Sequence, residues 1–201
     1  MKPRLQTIVL GLFMGGLSLS GTSAQAGAPL LGASVRLPAS PEAAVVISSA
    51  GLGVAGALSA TPTSTWNGEL VYQPRNALLD VRAGRSWRLT RPERLFSATA
   101  ELTGTVLATT RGPFVAGLGP HAGIHAGLGR ERWQVLAGLT AGAELFTDGG
   151  PRLPVRLEAG AGAQVGSVRL LGVARVGQDI EPGHATILRA EAGLVLGWRW
   201  R

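Results

Sequence analysis

The chain contains no cysteine. No disulfide can staple it, so its stability must come from closing a sheet or packing a core. Lysine is missing beyond Lys2. The basic set is otherwise arginine, whose planar guanidinium suits phosphate and carboxylate partners; a GC-rich genome, which also raises alanine and glycine, gives the same bias. Long hydrophobic runs are missing after residue 26. The nearest candidate, residues 43 to 60, is uncharged but broken by glycine and serine and stopped by Pro62, which excludes a convincing membrane-spanning helix. No nucleophile, base and orienting group recur at a recognisable spacing, and no metal-ligand cluster is visible. Neither an enzyme activity nor a metal or cofactor is expected, and no nucleic-acid partner.

What is present begins with a leader. The chain opens with the charged segment MKPR, continues through the apolar run LQTIVLGLFMGGLSLS and reaches Ala24-Gln25-Ala26 before Gly27. This order of charged region, apolar region and small-x-small site reads as a secretory signal peptide over residues 1 to 26. One domain is expected from 27 to 201. Setting aside Lys2 and Arg4 takes the 19 basic residues to 17 against 12 acidic ones, a net charge of +5 where the whole chain carries +7.

The strongest signal is a period of two. At the end of the chain, Leu188, Ala190, Ala192, Leu194, Leu196, Trp198 and Trp200 share one parity, while Arg189, Glu191, Gly193, Gly197 and Arg199 share the other, with Val195 among them. Such alternation marks a β-strand with one face in apolar surroundings. It recurs in residues 153 to 165, 132 to 146, 113 to 128 and 95 to 109, and clusters of Gly, Pro, Asp and Asn separate these runs as hairpin turns do. Eight strands follow from residue 65 onward, near 65 to 73, 77 to 88, 95 to 109, 113 to 128, 132 to 146, 153 to 165, 167 to 177 and 185 to 200. Two more upstream, 30 to 37 and 43 to 58, bring the preferred count to ten, with eight as the alternative. In 43 to 58, Ala44, Val46, Leu52, Val54 and Leu58 are expected outward, and Ser49, Gly51, Gly53, Ala55 and Ala57 inward.

Which face meets which solvent is decided by the polar parity. It is small and rich in glycine, as at Gly117, Gly119, Gly123, Gly138, Gly142, Gly160 and Gly162. A crowded barrel interior explains that texture better than a water-facing surface, so the apolar parity is expected to face lipid. Only helices and closed barrels satisfy every backbone group in a bilayer. The aromatics agree. Trp66, Trp87, Phe96, Trp133, Trp198 and Trp200 fall beside one set of turns, and Tyr72 and Phe114 beside the other, as membrane-interface girdles would. Phe146 lies at the second set but on the inward parity. Arg85 falls on the outward parity next to Trp87, so it is expected at the interface.

A strand of this kind closing the chain, with the aromatic Trp200 followed by Arg201, resembles the C-terminal strand of the small bacterial outer-membrane barrels of the OmpA and OmpX type. The resemblance covers most of the chain after the leader. It implies an all-β, antiparallel up-and-down transmembrane barrel in the cell outer membrane, in contact with outer-membrane lipid and inserted by the barrel-assembly machinery. The alternative is a soluble secreted or periplasmic barrel that binds an apolar ligand.

Three motifs point elsewhere and fail. Gly51-Leu52-Gly53-Val54-Ala55-Gly56 matches the GxGxxG fingerprint, but Pro62 cuts short the helix that a dinucleotide site needs. His121 and His125 would bind one metal on a helix; on a strand they lie about 13 Å apart and line a lumen instead. His184 reads as a loop residue. Arg82, Arg85, Arg88, Arg91 and Arg94 recur every third residue like a voltage sensor, which Pro92 and the lack of other spanning helices reject. What remains is a charged inner face: Asp80, Arg82, Glu101, Glu144, Arg156, Glu158, Arg169, Arg175, Arg189, Glu191 and Arg199. Buried charges need partners, so a lumen mostly plugged by paired charges is expected over a water-filled path. The function expected is a structural or passive small-solute pore role.

Overall fold

The computed structural model describes residues 41–90, 95–130, 132–183 and 186–200, so the expected leader, the strand at 30 to 37 and residues Arg91, Arg94, His184 and Arg201 lie outside the described part. The alternation resolves into ten antiparallel strands. They are β1 Glu42–Ser48, β2 Leu52–Thr61, β3 Ser64–Gln73, β4 Leu78–Arg88, β5 Phe96–Thr109, β6 Ala116–Arg130, β7 in two pieces, Trp133–Gly142 and Glu144–Phe146, β8 Pro151–Val165, β9 Val168–Ile180 and β10 Ile187–Arg199. Each pairs with its neighbours in the chain, and β10 returns to pair with β1 from Glu42↔Arg199 to Ser48↔Gly193. The sheet is a closed barrel with no free edge.

The count of ten is reached differently from the sequence expectation. Residues 43 to 58 are not one strand but the hairpin β1–β2. Ser48 turns the chain there: its hydroxyl accepts the N–H groups of Ala50 at 3.2 Å and Gly51 at 3.1 Å, while its own N–H donates to the Gly51 carbonyl at 2.8 Å. A serine that bonds the backbone two and three residues on offers an alternative to the ladder. The turn also resets the parity. Ala44 and Val46, expected outward, point into the barrel and are buried, while Leu52, Val54 and Leu58 face out and Ala55 and Ala57 face in.

The interruption of β7 has a separate cause. Its register with β6 is the same on both sides of the gap, His121↔Gly142 before it and Leu118↔Leu145 after it. Extended inward, the same register sets Ala143 opposite Pro120 of β6, to whose carbonyl it donates at 3.0 Å. Pro154 of β8 lies opposite Gly142 by the pairing that runs from Ala141↔Val155 to Glu144↔Arg152. Proline has no N–H to return, so two flanking prolines remove ladder bonds at one place without shifting the strand.

The two faces are inverted relative to a soluble domain. Every strand exposes a large aliphatic side chain outward: Ile47, Leu52, Leu70, Val81, Leu102, Leu118, Leu139, Leu157, Leu170 and Leu188. Among the described residues, 24 buried side chains are polar or charged and only 10 are hydrophobic, so the interior is the polar side. An apolar surface continuous around ten strands far exceeds the patches that water-soluble monomers expose.

Candidate functional site

The lumen gathers nearly all the chemistry the chain has, because the pleat sends every second residue inward and the strands carry their charges on that parity. The described strands begin and end at one rim, where Glu42 opens β1 and Arg199 closes β10. Glu42 is 2% exposed and accepts from two arginines: Arg169 Nε to Oε1 at 2.8 Å and Arg199 Nε to Oε2 at 2.8 Å. Arg199 Nη1 also donates to Gln164 Oε1 at 2.6 Å. This group therefore ties β1, β8, β9 and β10 together across the closing seam.

Halfway along the barrel, Arg175 of β9 is the hub. Its Nε lies 2.9 Å from Glu158 Oε1 of β8 and its Nη1 3.6 Å from Glu191 Oε2 of β10. Glu69 of β3 and Glu101 of β5 reach it electrostatically from the far wall. The second carboxylate oxygen of Glu158 meets His125 Nε2 at 3.2 Å, and His121 Nε2 meets Glu144 Oε1 at 3.0 Å. The two histidines take different carboxylates on different strands. Among the described residues, no three histidine, aspartate or glutamate side chains form a metal-holding group. Asp80 accepts from the Arg82 guanidinium at 3.0 and 3.2 Å and from the Thr105 hydroxyl at 3.4 Å. This belt holds six carboxylates, Glu69, Asp80, Glu101, Glu144, Glu158 and Glu191, against two arginines.

Asp179 pairs with both Arg156 and Arg189, and Arg156 Nη1 also donates to the Gln178 carbonyl at 2.9 Å. At the mouth, Arg152 Nε reaches Glu181 Oε1 at 2.7 Å and stacks over Phe146 at 4.4 Å from the ring centroid.

Two apolar layers complete the filling. Ala44, Val46, Ala55, Leu136, Leu171, Val173 and Val195 form one packed cluster. It runs along the inner wall from Leu136 of β7 through Leu171 and Val173 of β9 and Val195 of β10 to Ala44 and Val46 of β1 and Ala55 of β2. Leu78, Leu107 and Phe146 form a smaller cluster nearer the second rim. Phe146, on the inward parity, thus packs inside rather than joining a girdle. The lumen glycines make room for rings. A Cβ on Gly138 would sit 2.2 Å from His125 Cδ2, and one on Gly142 2.4 Å from His121 Nδ1.

All eleven charges read from the sequence lie on the inward side of their strands, and all eleven belong to the three groups described above, Glu101 through the electrostatic reach of Arg175. Sequence reading missed Glu42, Asp179, Glu69 and the apolar layer. Glu42 and Asp179 border segments rich in proline and glycine that read as turns, yet the two unmatched arginines at each end were a signal that carboxylates belonged beside them. On the outside, Trp66, Phe96, Trp133, Trp198 and Trp200 are exposed near the rim where the strands begin and end, with Trp87 half-buried among them. Tyr72 and Phe114 lie toward the other rim.

No family model and no curated protein matches the sequence. Solved structures similar in fold include a bacterial polysaccharide outer membrane secretin, 10% identical over 79% of this chain with a TM-score of 0.48. The chain spans 58% of the length of that structure. Acinetobacter baumannii CarO is 8% identical, with 79% of this chain and 97% of that one covered and a TM-score of 0.30. OmpT, an outer membrane protein of Vibrio cholerae, is 11% identical over 74% of this chain and 64% of that one, with a TM-score of 0.28. Similarities of this order carry no activity or cargo to this chain, and the barrel fold rests on the strand pairing itself.

Proposed function

We propose that the chain is an outer-membrane β-barrel that acts as a sealed structural element and does not pass small solutes. The observation that carries this reading is the burial of the lumen charges: the side chains of Arg175, Glu158, Asp80 and Arg82 are each 2% exposed or less. In a water-filled pore of the same residues a solvent-sized probe would reach them. A permeating ion would have to displace Arg175 from its carboxylates and then part the layer around Leu136 and Val46.

Paired charges of both signs along the lumen raise the barrier for cations and anions alike. Arg169 and Arg199 share one carboxylate at the first rim, and Arg156 and Arg189 share one beyond the middle. The carboxylates grouped with Arg175 and Arg82 outnumber the cations there even with both histidines charged.

The membrane setting is supported by the outer face. Exposed leucine, valine and isoleucine on every strand match a bilayer interior, and the aromatics near the rims match its interfaces. A soluble barrel that binds an apolar ligand needs the opposite arrangement, an apolar cavity behind a polar surface. Heat-modifiable gel mobility of the full chain in a detergent-extracted membrane fraction is the expected result. Recovery of the folded protein in the soluble periplasmic fraction would overturn the reading.

A further inference from the structure

Arg85 is the one charge on the outward parity of β4, where its companions are Leu79, Val81, Ala83 and Trp87. Its guanidinium carbon lies 5.3 Å from the Trp66 ring centroid and 5.7 Å from that of Trp87. Its Nη2 donates to the Ser64 hydroxyl at 2.8 Å. The pairing of β3 with β4 builds this arrangement, since Trp66 stands opposite Arg85 and Ser64 opposite Trp87. Two ring faces and a hydroxyl thus fix the guanidinium in one place, on the outside, close to the rim where the strands begin and end. Among the described residues no carboxylate pairs with it, and its Nε is buried without a hydrogen-bond partner. Glu69 of β3, Asp80 of β4 and Glu101 of the adjacent β5 all point into the lumen.

A charged group held on a lipid-facing wall is tolerated only where it can reach the headgroups. A guanidinium whose faces lie on aromatic rings keeps its N–H edges for an acceptor, and its planar fork fits the oxygens of a phosphate. We infer that Arg85, clamped by Trp66, Trp87 and Ser64, forms a binding site for the phosphate of an anionic lipid headgroup. The inference rests on the membrane reading above, and its test is built to fail differently.

The full chain, carrying Phe in place of Trp133, Trp198 and Trp200, is folded into vesicles containing brominated phosphatidylglycerol or brominated phosphatidylcholine. Quenching of Trp66 and Trp87 then reports which lipid occupies the site. A preference for phosphatidylglycerol of about fivefold is expected, the value of one basic side chain near an anionic surface. Arg85→Gln should bring it to about one, Arg85→Lys should keep part of it, and Arg130→Gln, an exposed arginine at the same rim, should leave it in place; heat-modifiable mobility checks that each variant is folded. Equal quenching by both lipids in the parent, a preference that survives Arg85→Gln, or an equal loss in Arg130→Gln would overturn the site. Inorganic phosphate separates the two sources of the group. A preference that persists against it identifies the lipid, whereas one abolished by phosphate but not by chloride of equal ionic strength would overturn the lipid assignment. Failure of the membrane reading looks different: neither lipid quenches and no heat-modifiable species forms.

Discussion

Replacing Arg175 by methionine removes the lumen hub while nearly conserving its volume, and the size of the effect distinguishes a sealed interior from a wet one. The guanidinium is 2.9 Å from Glu158 and 3.6 Å from Glu191, with side-chain exposures of 2%, 1% and 13%. At an effective dielectric constant of about 20, two unit charges about 4 Å apart interact by roughly 4 kcal/mol. Breaking a buried pair from one side costs about 3 to 5 kcal/mol, because the remaining carboxylates are left uncompensated. A pair bathed in water is worth only about 0.2 to 1 kcal/mol. Urea unfolding of the refolded barrel in vesicles, followed by tryptophan fluorescence and gel mobility, measures the difference. With a slope near 2 kcal/mol per molar, Arg175→Met should lower the midpoint by about 1.5 to 2.5 M. The double variant with Glu158→Gln should recover part of this, giving a coupling of at least about 2 kcal/mol. The more exposed mouth pair Arg152–Glu181, at 11% and 23%, should show a coupling below about 1 kcal/mol in the same cycle. A loss below about 1 kcal/mol for Arg175→Met would refute the reasoning, since it would put water around the hub.

Three further perturbations test other parts of the lumen. Glu42→Gln leaves Arg169 and Arg199 facing each other across the seam and should lower the urea midpoint by the equivalent of about 2 to 4 kcal/mol; an unchanged midpoint would show that the seam closes without it. Gly138→Ala drives a methyl into the His125 ring and should cost about 1 to 3 kcal/mol in the same assay, whereas Gly150→Ala, with nothing within 4 Å of the added carbon, should cost less than about 0.5 kcal/mol. Trimming both Leu136 and Leu171 to alanine opens the apolar layer. It should make a cysteine placed at Thr140, which is 3% exposed, react with a water-soluble thiol reagent at least about tenfold faster than in the parent barrel, a difference worth about 1.4 kcal/mol in access; an unchanged rate would mean that this layer is not the seal.

The division of faces was legible in the sequence because alternation is a local property. Leu157 and Glu158 occupy opposite sides of β8 whatever the rest of the chain does, and the same holds for Trp198 and Arg199 on β10. The ring of ten was less accessible. Ser48-Ser49-Ala50-Gly51 sits inside an unbroken uncharged run and carries no proline, asparagine or aspartate, so the hairpin it makes reads as uninterrupted strand, and with it the inward placement of Ala44 and Val46 was lost. Partners across the lumen were not legible at all. That Arg175 gathers Glu158, Glu191, Glu69 and Glu101, or that Leu136 and Ala55 join one apolar cluster, depends on how the sheet closes, which no single strand encodes. Leu136 and Val195 did break the polar parity in the sequence, and in the barrel they prove to be part of the apolar layer.

The central claim is that this barrel is shut, and single-channel recording tests it most directly. Full-length protein with verified heat-modifiable mobility, inserted into a planar bilayer at neutral pH, should give no conductance steps above the bare membrane. Reproducible steps from the unaltered protein would contradict the account.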